Sequence, residues 1–213
     1  MDQLGQIAGV ISLTMGVAWA SGINLYAAIL TLGILGATGN IALPPSLEIL
    51  SNPLVLMAAG CMYMVEFVAD KIPGVDSGWD AIHTFIRIPA GALLAAGAVG
   101  EVNPALSLAA AILGGGLAAG SHATKAGSRL LINASPEPVS NWLASLSEDA
   151  LVIVGLWAAL HHPLIFLLLL AGFLCFMIWL LPKAWQGLKK LFAFLGRLVD
   201  RGGQGPPATP PAP

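Results

Sequence analysis

The 213-residue sequence has 9 Lys and Arg against 11 Asp and Glu, a formal net charge of −2, and only 9% charged residues against 57% hydrophobic ones. Its mean hydropathy is +0.83. Soluble domains carry about 25% charged residues, so this composition excludes a soluble globular protein, points to an integral membrane protein, and offers no basic surface for nucleic acid.

No stretch alternates apolar and polar residues at period two, which excludes an outer-membrane barrel and leaves an all-α helical bundle. At about 20 apolar residues per crossing, the chain holds about six transmembrane helices. The first apolar run extends from Leu4 to about Gly39. It contains Ala18-Trp19-Ala20, which mimics a signal-peptide cleavage site, but Asp2 and Gln3 stand where a basic n-region belongs. The run is therefore read as a first membrane segment and not as a removed leader. It is too long for one simple crossing and short for two. "ASGINLY", Ala20 to Tyr26, interrupts it with Ser21, Gly22 and Asn24, residues that loosen a helix or bond to its backbone. One broken helix and a tight helix pair both fit.

Asn40 to Pro53 reads as a loop with room for a short interfacial helix. A second helix is expected over about Leu54 to Lys71, and the Pro, Gly and Asp-Ser-Gly of Ile72 to Gly78 mark a turn. A third runs from about Trp79 to Gly100, with Pro89 as a kink point. After the turn Glu101 to Pro104, a fourth covers Ala105 to Leu131. Asn133 to Ser140 is a surface loop, and a fifth helix follows from near Asn141 to near Leu160. "HHP" then introduces a purely apolar sixth, Pro163 to Leu181, with His161 and His162 at the membrane interface. Cys61 and Cys175 each lie inside an apolar run and read as buried thiols without a disulfide framework.

Residues 1–182 thus form the transmembrane domain. Residues 183–200 form a basic amphipathic helix lying on the membrane surface: Lys183, Gln186, Lys190 and Arg197 fall on one face, and Leu188, Leu191, Phe192, Leu195 and Leu198 on the other. Residues 201–213, rich in Pro and Gly, are expected to be disordered. Five of the nine Lys and Arg lie between Lys183 and Arg201, so the positive-inside rule puts the C-terminus in the cytoplasm. "SNPLVLMAAGCMYM" from Ser51 resembles "HHPLIFLLLLAGFL" from His161, which raises a three-plus-three internal repeat, parallel or inverted, of the kind found in transporters.

Twelve of the twenty Asp, Glu, Lys and Arg residues fall between Glu66 and Asp149. Glu101 and Glu137 sit in turns and read as solvated. The others follow helical spacing. Glu66 and Asp70 are four apart on the second helix. Asp80, His83 and Arg87 share one face of the third, and His122, Lys125 and Arg129 repeat that spacing on the fourth. Ser145, Glu148 and Asp149 follow on the fifth, and Ser21 and Asn24 add a polar pair on the first. A charge at a helix centre in lipid costs at least about 2.5–3.5 kcal/mol, so the stripes must face one another or water inside the bundle. The pairs Gly5–Gly9 and Gly116–Gly120 have the spacing for close helix contact. If Glu66, Asp70, Asp76, Asp80, Glu148 and Asp149 share a site with Lys71, Arg87, Lys125 and Arg129, six negatives face four positives. A divalent cation, two monovalent cations or protons would neutralise the difference. The bland alternative sets these groups at helix ends, with Asp80 or Ser77 capping the third helix and Lys71 and Arg129 snorkelling outward.

"SGINLY", "EFVADKIPGVDSGWDAIHT", "SHATKAGSR" and "NWLASLSEDA" resemble the blocks of a bacterial integral-membrane family known as a domain of unknown function, number four-one-two-six. The resemblance covers roughly Ala20 to Leu181 and implies that the four blocks belong together in a bacterial inner membrane. It implies no activity.

Three functions fit the residues. A small transporter or channel would use Ser21, Asn24, Glu66, Asp70, Asp80, His83, Arg87, His122, Lys125, Arg129, Glu148 and Asp149 to bind an ion or small charged solute. A non-catalytic assembly or regulatory component would use the same charges as paired pins, and the sequence leaves self-association open. A membrane enzyme on a lipid phosphate would hold a divalent metal on Asp76 and Asp80 and grip phosphate with His122, Lys125 and Arg129. The enzyme is the least supported, because a lone D-x-x-x-D is a weak signal.

Overall fold

The computed structural model describes residues 3–72, 74–100, 103–133 and 138–202. All regular structure among them is helical: α1 (Gln3–Ala37), a short 3-10 helix (Pro45–Ser51), α2 (Pro53–Ala69), α3 (Val75–Val99), α4 (Pro104–Asn133), α5 (Pro138–His161) and α6 (Pro163–Gly202). Five helices are long and apolar enough to cross a membrane, and the 3-10 helix with α2, bent by 65° at the junction, makes a sixth candidate. The protein is a polytopic helical bundle with a broken first helix, as its apolar runs predict.

Local chemistry sets the boundaries. Pro53 opens α2 and Asn52 caps it, its side chain accepting from the Leu54 N–H. Gly74, at φ +86, supplies the left-handed turn between α2 and α3. Helix α3 starts at Val75, four residues ahead of the expected Trp79, because Asp76 accepts from the Gly74 and Ser77 N–H groups and lets the chain coil early. Pro89 lies inside α3.

Helix α1 is the unusual element. Asn24, at φ −146 and ψ 98, leaves the helical region between a first half, α1a (3–23), and a second, α1b (25–37). Its side-chain oxygen accepts from the Ala27 N–H at 2.9 Å, an N-cap for α1b in mid-element. The neighbours show where the halves go. Ser12 reaches the Ala159 carbonyl near the C-terminus of α5, a Cβ on Gly155 would meet Trp19, and Asn24 bonds to Asp149, halfway down α5. The chain then returns: Ala27, Leu30 and Ile34 share a cleft with Tyr63, Ile153 and Trp157, and a Cβ on Gly36 would meet Ser51 and Leu43. Leu47 in turn packs at Gly97 near the end of α3. Both halves of α1 therefore start or finish at the end of the bundle where α3 and α5 terminate. Within the bundle the first run goes in to about mid-depth and comes back.

The remaining helices are antiparallel neighbours. The end of α2, the start of α3, the end of α4 and the start of α5 converge at the other end of the bundle, where Arg87 reaches Glu66, Lys125 reaches Asp70 and Arg129 reaches Asn141. Helices α2 and α6 run in the same direction. The core lies around α1, with Val17, Ala18, Ala20, Ala28, Leu32, Val152 and Leu156 fully enclosed. Close packing uses Gly22, Gly91 and Gly114, where a Cβ would run into Ala118, Ser121 or Ala95. The expected Gly5–Gly9 and Gly116–Gly120 contacts are not the close ones: Gly9 and Gly116 have nothing within 4 Å of a built Cβ, and at Gly120 a flexible Met177 would be met.

Two further expectations are corrected. Cys61 and Cys175 are exposed on the outer surface, because an apolar run in a lipid-facing helix turns thiols outward as readily as inward. Helix α6 continues without interruption through Pro182 to Gly202, taking Arg201 and Gly202 from the expected tail. The segment expected to lie on the membrane surface is thus a direct extension of α6. The rest of the tail, with Glu101 and Glu137, falls outside the described residues.

Candidate functional site

The polar stripes of α2 to α5 meet in one buried network. Arg87 donates to Glu66 Oε1 at 2.5 Å and to Asp80 Oδ1 at 2.9 Å. Lys125 Nζ lies 2.8 Å from Asp70, 3.3 Å from Glu66, 3.6 Å from Glu148 and 3.8 Å from Asp80. Arg129 forms a fork on Glu148 at 2.6 and 3.1 Å and lies 3.6 Å from Asp70. Its Nη1 donates to the Asp70 and Asn141 carbonyls, at 3.0 and 3.2 Å. Arg87, Arg129 and Glu66 are fully buried. The network reaches depth: Arg87 lies twelve residues into α3, ~18 Å along its axis.

The charge count is smaller than the sequence arithmetic. Four carboxylates face three cations in this contact network, leaving one surplus negative charge. Each of Glu66, Asp70 and Asp80 shares a single oxygen between cations. Among the described residues, their other oxygens, Glu66 Oε2, Asp70 Oδ1 and Asp80 Oδ2, are buried without a hydrogen-bond partner, as is Arg87 Nε. Buried polar atoms without partners are costly.

His122 joins the network as a neutral bridge. Arg87 donates to its Nδ1 at 3.0 Å, so that nitrogen carries no proton. Nε2 then donates to Thr84 Oγ1 at 2.7 Å, and Thr84 donates to the Asp80 carbonyl at 3.0 Å. His83 stands beside the network. Its Nδ1 donates to the Trp79 carbonyl at 2.9 Å, leaving Nε2 to accept from Tyr26 at 3.2 Å, and its ring stacks on Trp79.

Asp149 is held apart, by Asn24 at 2.8 Å and Tyr63 at 3.2 Å. Ser21 is not brought in: its hydroxyl bonds back to the Val17 carbonyl, and it packs near Gly91. Lys71 does not snorkel outward; it is buried over the Phe67 ring and bonds to Ser145, and that burial lowers its pKa. Arg129 is likewise turned inward. Asp76 and Asp80 are engaged separately: Asp76 accepts at the start of α3 and Asp80 binds Arg87. Among the described residues no group of three His, Cys, Asp or Glu side chains is placed to hold a metal ion.

Sequence spacing missed Tyr63, Thr84, Asn141 and Tyr26. The signal was present for three of them. Tyr63 shares the face of Glu66 and Asp70, Thr84 lies four residues after Asp80, and Asn141 lies four before Ser145. Tyr26 was hidden by the break at Asn24.

No curated protein and no solved structure matches the chain. A family does match, over residues 11–183, which span the broken helix, the whole charged network and the apolar part of α6. The chain belongs to the family described as Domain of unknown function (DUF4126).

Proposed function

We propose that this multi-pass membrane protein is a small transporter whose buried network takes up one monovalent positive charge, a proton or a small cation, in an occluded state. The observation that carries this reading is the surplus negative charge among Glu66, Asp70, Asp80 and Glu148, with three carboxylate oxygens that have no partner among the described residues. One positive charge would neutralise the network and partner an oxygen. The break at Asn24 supports it, since discontinuous helices that end at mid-membrane are how transporters expose polar backbone to a solute. We put the C-terminus in the cytoplasm of a bacterial inner membrane. Residues 1–70, 88–124 and 130–182 contain no Lys or Arg, so the end of the bundle holding the N-terminus and the 38–52 loop is bare of positive charge.

A second reading, a non-catalytic assembly component, is favoured by the completeness of cation pairing: Arg87, Lys125 and Arg129 each lie within 3 Å of a carboxylate. A thermal-shift scan of detergent-purified protein against pH, monovalent cations, divalent cations and phosphate separates the two. A ligand at 100 times its Kd stabilises by about 2.7 kcal/mol. The transport reading expects a shift with pH or one monovalent cation that is lost in Glu66→Gln. No shift under any condition, with Glu66→Gln as stable as the parent, would assign the network to assembly.

A further inference from the structure

We infer that the cleft between α1b, α2 and α5 binds an organic monocation with an apolar body, its ammonium directed at Tyr63 and Asp149. The cleft encloses about 380 Å³. Leu30, Ile34, Leu35, Tyr63, Ile153 and Trp157 line it. Ile34 and Trp157 are half exposed, so the opening faces the bilayer, where cations with apolar bodies concentrate.

Tyr63 connects the cleft to a charge. The Tyr63 hydroxyl donates to Asp149 Oδ2 at 3.2 Å, which leaves its oxygen lone pairs free to accept. Asp149 Oδ1 accepts from Asn24. Asp149 is 7% exposed, and among the described residues no Lys, Arg or His nitrogen lies within 4.0 Å of its carboxylate, whereas Glu66, Asp70, Asp80 and Glu148 each have such a partner. Lys71 and Lys125 act on it only from beyond that distance, and two neutral donors do not by themselves offset a buried carboxylate. An ammonium on the Tyr63 oxygen, and through it on Asp149, completes the pair, while the apolar walls remove the body of the ligand from water. An acyl chain would fill the same walls without using Asp149.

The cleft gives the transport reading its solute class and depends on that reading only for the movement of the bound cation, not for its binding. The test is calorimetric titration of the full chain in phosphatidylcholine nanodiscs with 4-phenylbutylammonium and its neutral isostere 4-phenylbutanol. The ammonium should bind at least about tenfold tighter than the alcohol, the factor given by 1.4 kcal/mol of charge-assisted bonding. Asp149→Asn should abolish that preference and keep alcohol binding. Ile153→Trp, which fills the cleft and leaves the carboxylate in place, should weaken both and serves on its own if Asp149→Asn does not assemble. Equal affinity for the two probes, a preference surviving in Asp149→Asn, or ammonium binding unchanged in Ile153→Trp would each overturn the site. Ammonium binding without uptake of labelled ammonium into proteoliposomes under a pH gradient would overturn the transport reading and leave the site standing. A monovalent-cation shift lost in Glu66→Gln, without ammonium binding, would do the reverse.

Discussion

Replacing Lys125 by Met tests whether the charges share one desolvated site. Lys125 Nζ lies within 4.0 Å of four carboxylates, 2.8 to 3.8 Å away. Its loss moves the contact network from one surplus negative charge to two. Removing one partner of a buried ion pair costs about 3–5 kcal/mol. Asp70→Asn brings the network to neutrality instead. Lys125 then keeps Glu66, Glu148 and Asp80, and Arg129 keeps the residue-70 carbonyl, so a cost of about 1 kcal/mol is expected. The double variant Lys125→Met/Asp70→Asn returns to the parent's surplus of one. It should be about 2 kcal/mol more stable than the sum of the single effects predicts, within the range seen for residues in contact. The assay is reversible unfolding in mixed micelles by detergent titration, read by circular dichroism. A Lys125→Met cost below about 1 kcal/mol would refute the reasoning. So would strict additivity, because the carboxylates would then be reached by water or neutralised independently of Lys125.

Gly22→Ala would drive a Cβ into Ser121 Oγ and the Ala118 carbonyl; a loss of about 1–3 kcal/mol in the same unfolding assay is expected, while Gly9→Ala, with open space around it, should change stability by no more than about 0.5 kcal/mol. Asn24→Ala removes both the α1b cap and the donor to Asp149 and should cost about 2 kcal/mol, with Asn24→Ser, which keeps a capping oxygen, recovering part of it. The course of α1 is testable by labelling single cysteines in a Cys61→Ser/Cys175→Ser background. Gln3→Cys and Asn40→Cys should react with an impermeant maleimide from the same side of the membrane, and Ile72→Cys from the opposite side. Reaction of positions 3 and 40 from opposite sides would mean that α1 crosses.

The helices and the network were legible because lipid imposes a simple rule. A charge inside an apolar helix has to face protein, so spacings of three, four and seven on α2 to α5 identified Glu66, Asp70, Asp80, Arg87, His122, Lys125, Arg129 and Glu148 as neighbours. Partner assignment was not legible. Lys71 and Arg129 have the length to snorkel or to turn inward, and only the positions of Phe67, Ser145 and Glu148 decide it. The close contacts of α1 were misread because glycine spacing alone does not say which face meets another backbone. Gly22 is pressed against α4, while Gly9 and Gly116 look onto open space. The continuity of α6 through Pro182 was also hidden, since a proline in a helix breaks one backbone bond without forcing the helix to stop.

Asn24 links the re-entrant helix to the apolar cleft. Its oxygen caps α1b and its amide holds Asp149, so one side chain fixes both the turning point of α1 and the carboxylate behind the cleft. The oxygen's task is local and independent of charge on Asp149. The amide's task is not: it donates to an ionised or neutral carboxylate, but more strongly to the ionised one. A cation bound as proposed, on the Tyr63 oxygen, would favour the ionised carboxylate behind it and so preserve the Asn24 bond. A proton on Asp149 weakens that bond. On that proposal, occupancy of the cleft and protonation of Asp149 would act in opposite directions on the tip of α1. The tip is packed against α4 at Gly22 and His122, and His122 bonds to Arg87 of the charged network. If the cleft binds a cation as proposed, its exchange for a proton at Asp149 would have a physical route to the surplus charge held by Glu66, Asp70 and Asp80, through the Asn24 bond, the close approach at Gly22 and the His122–Arg87 bond.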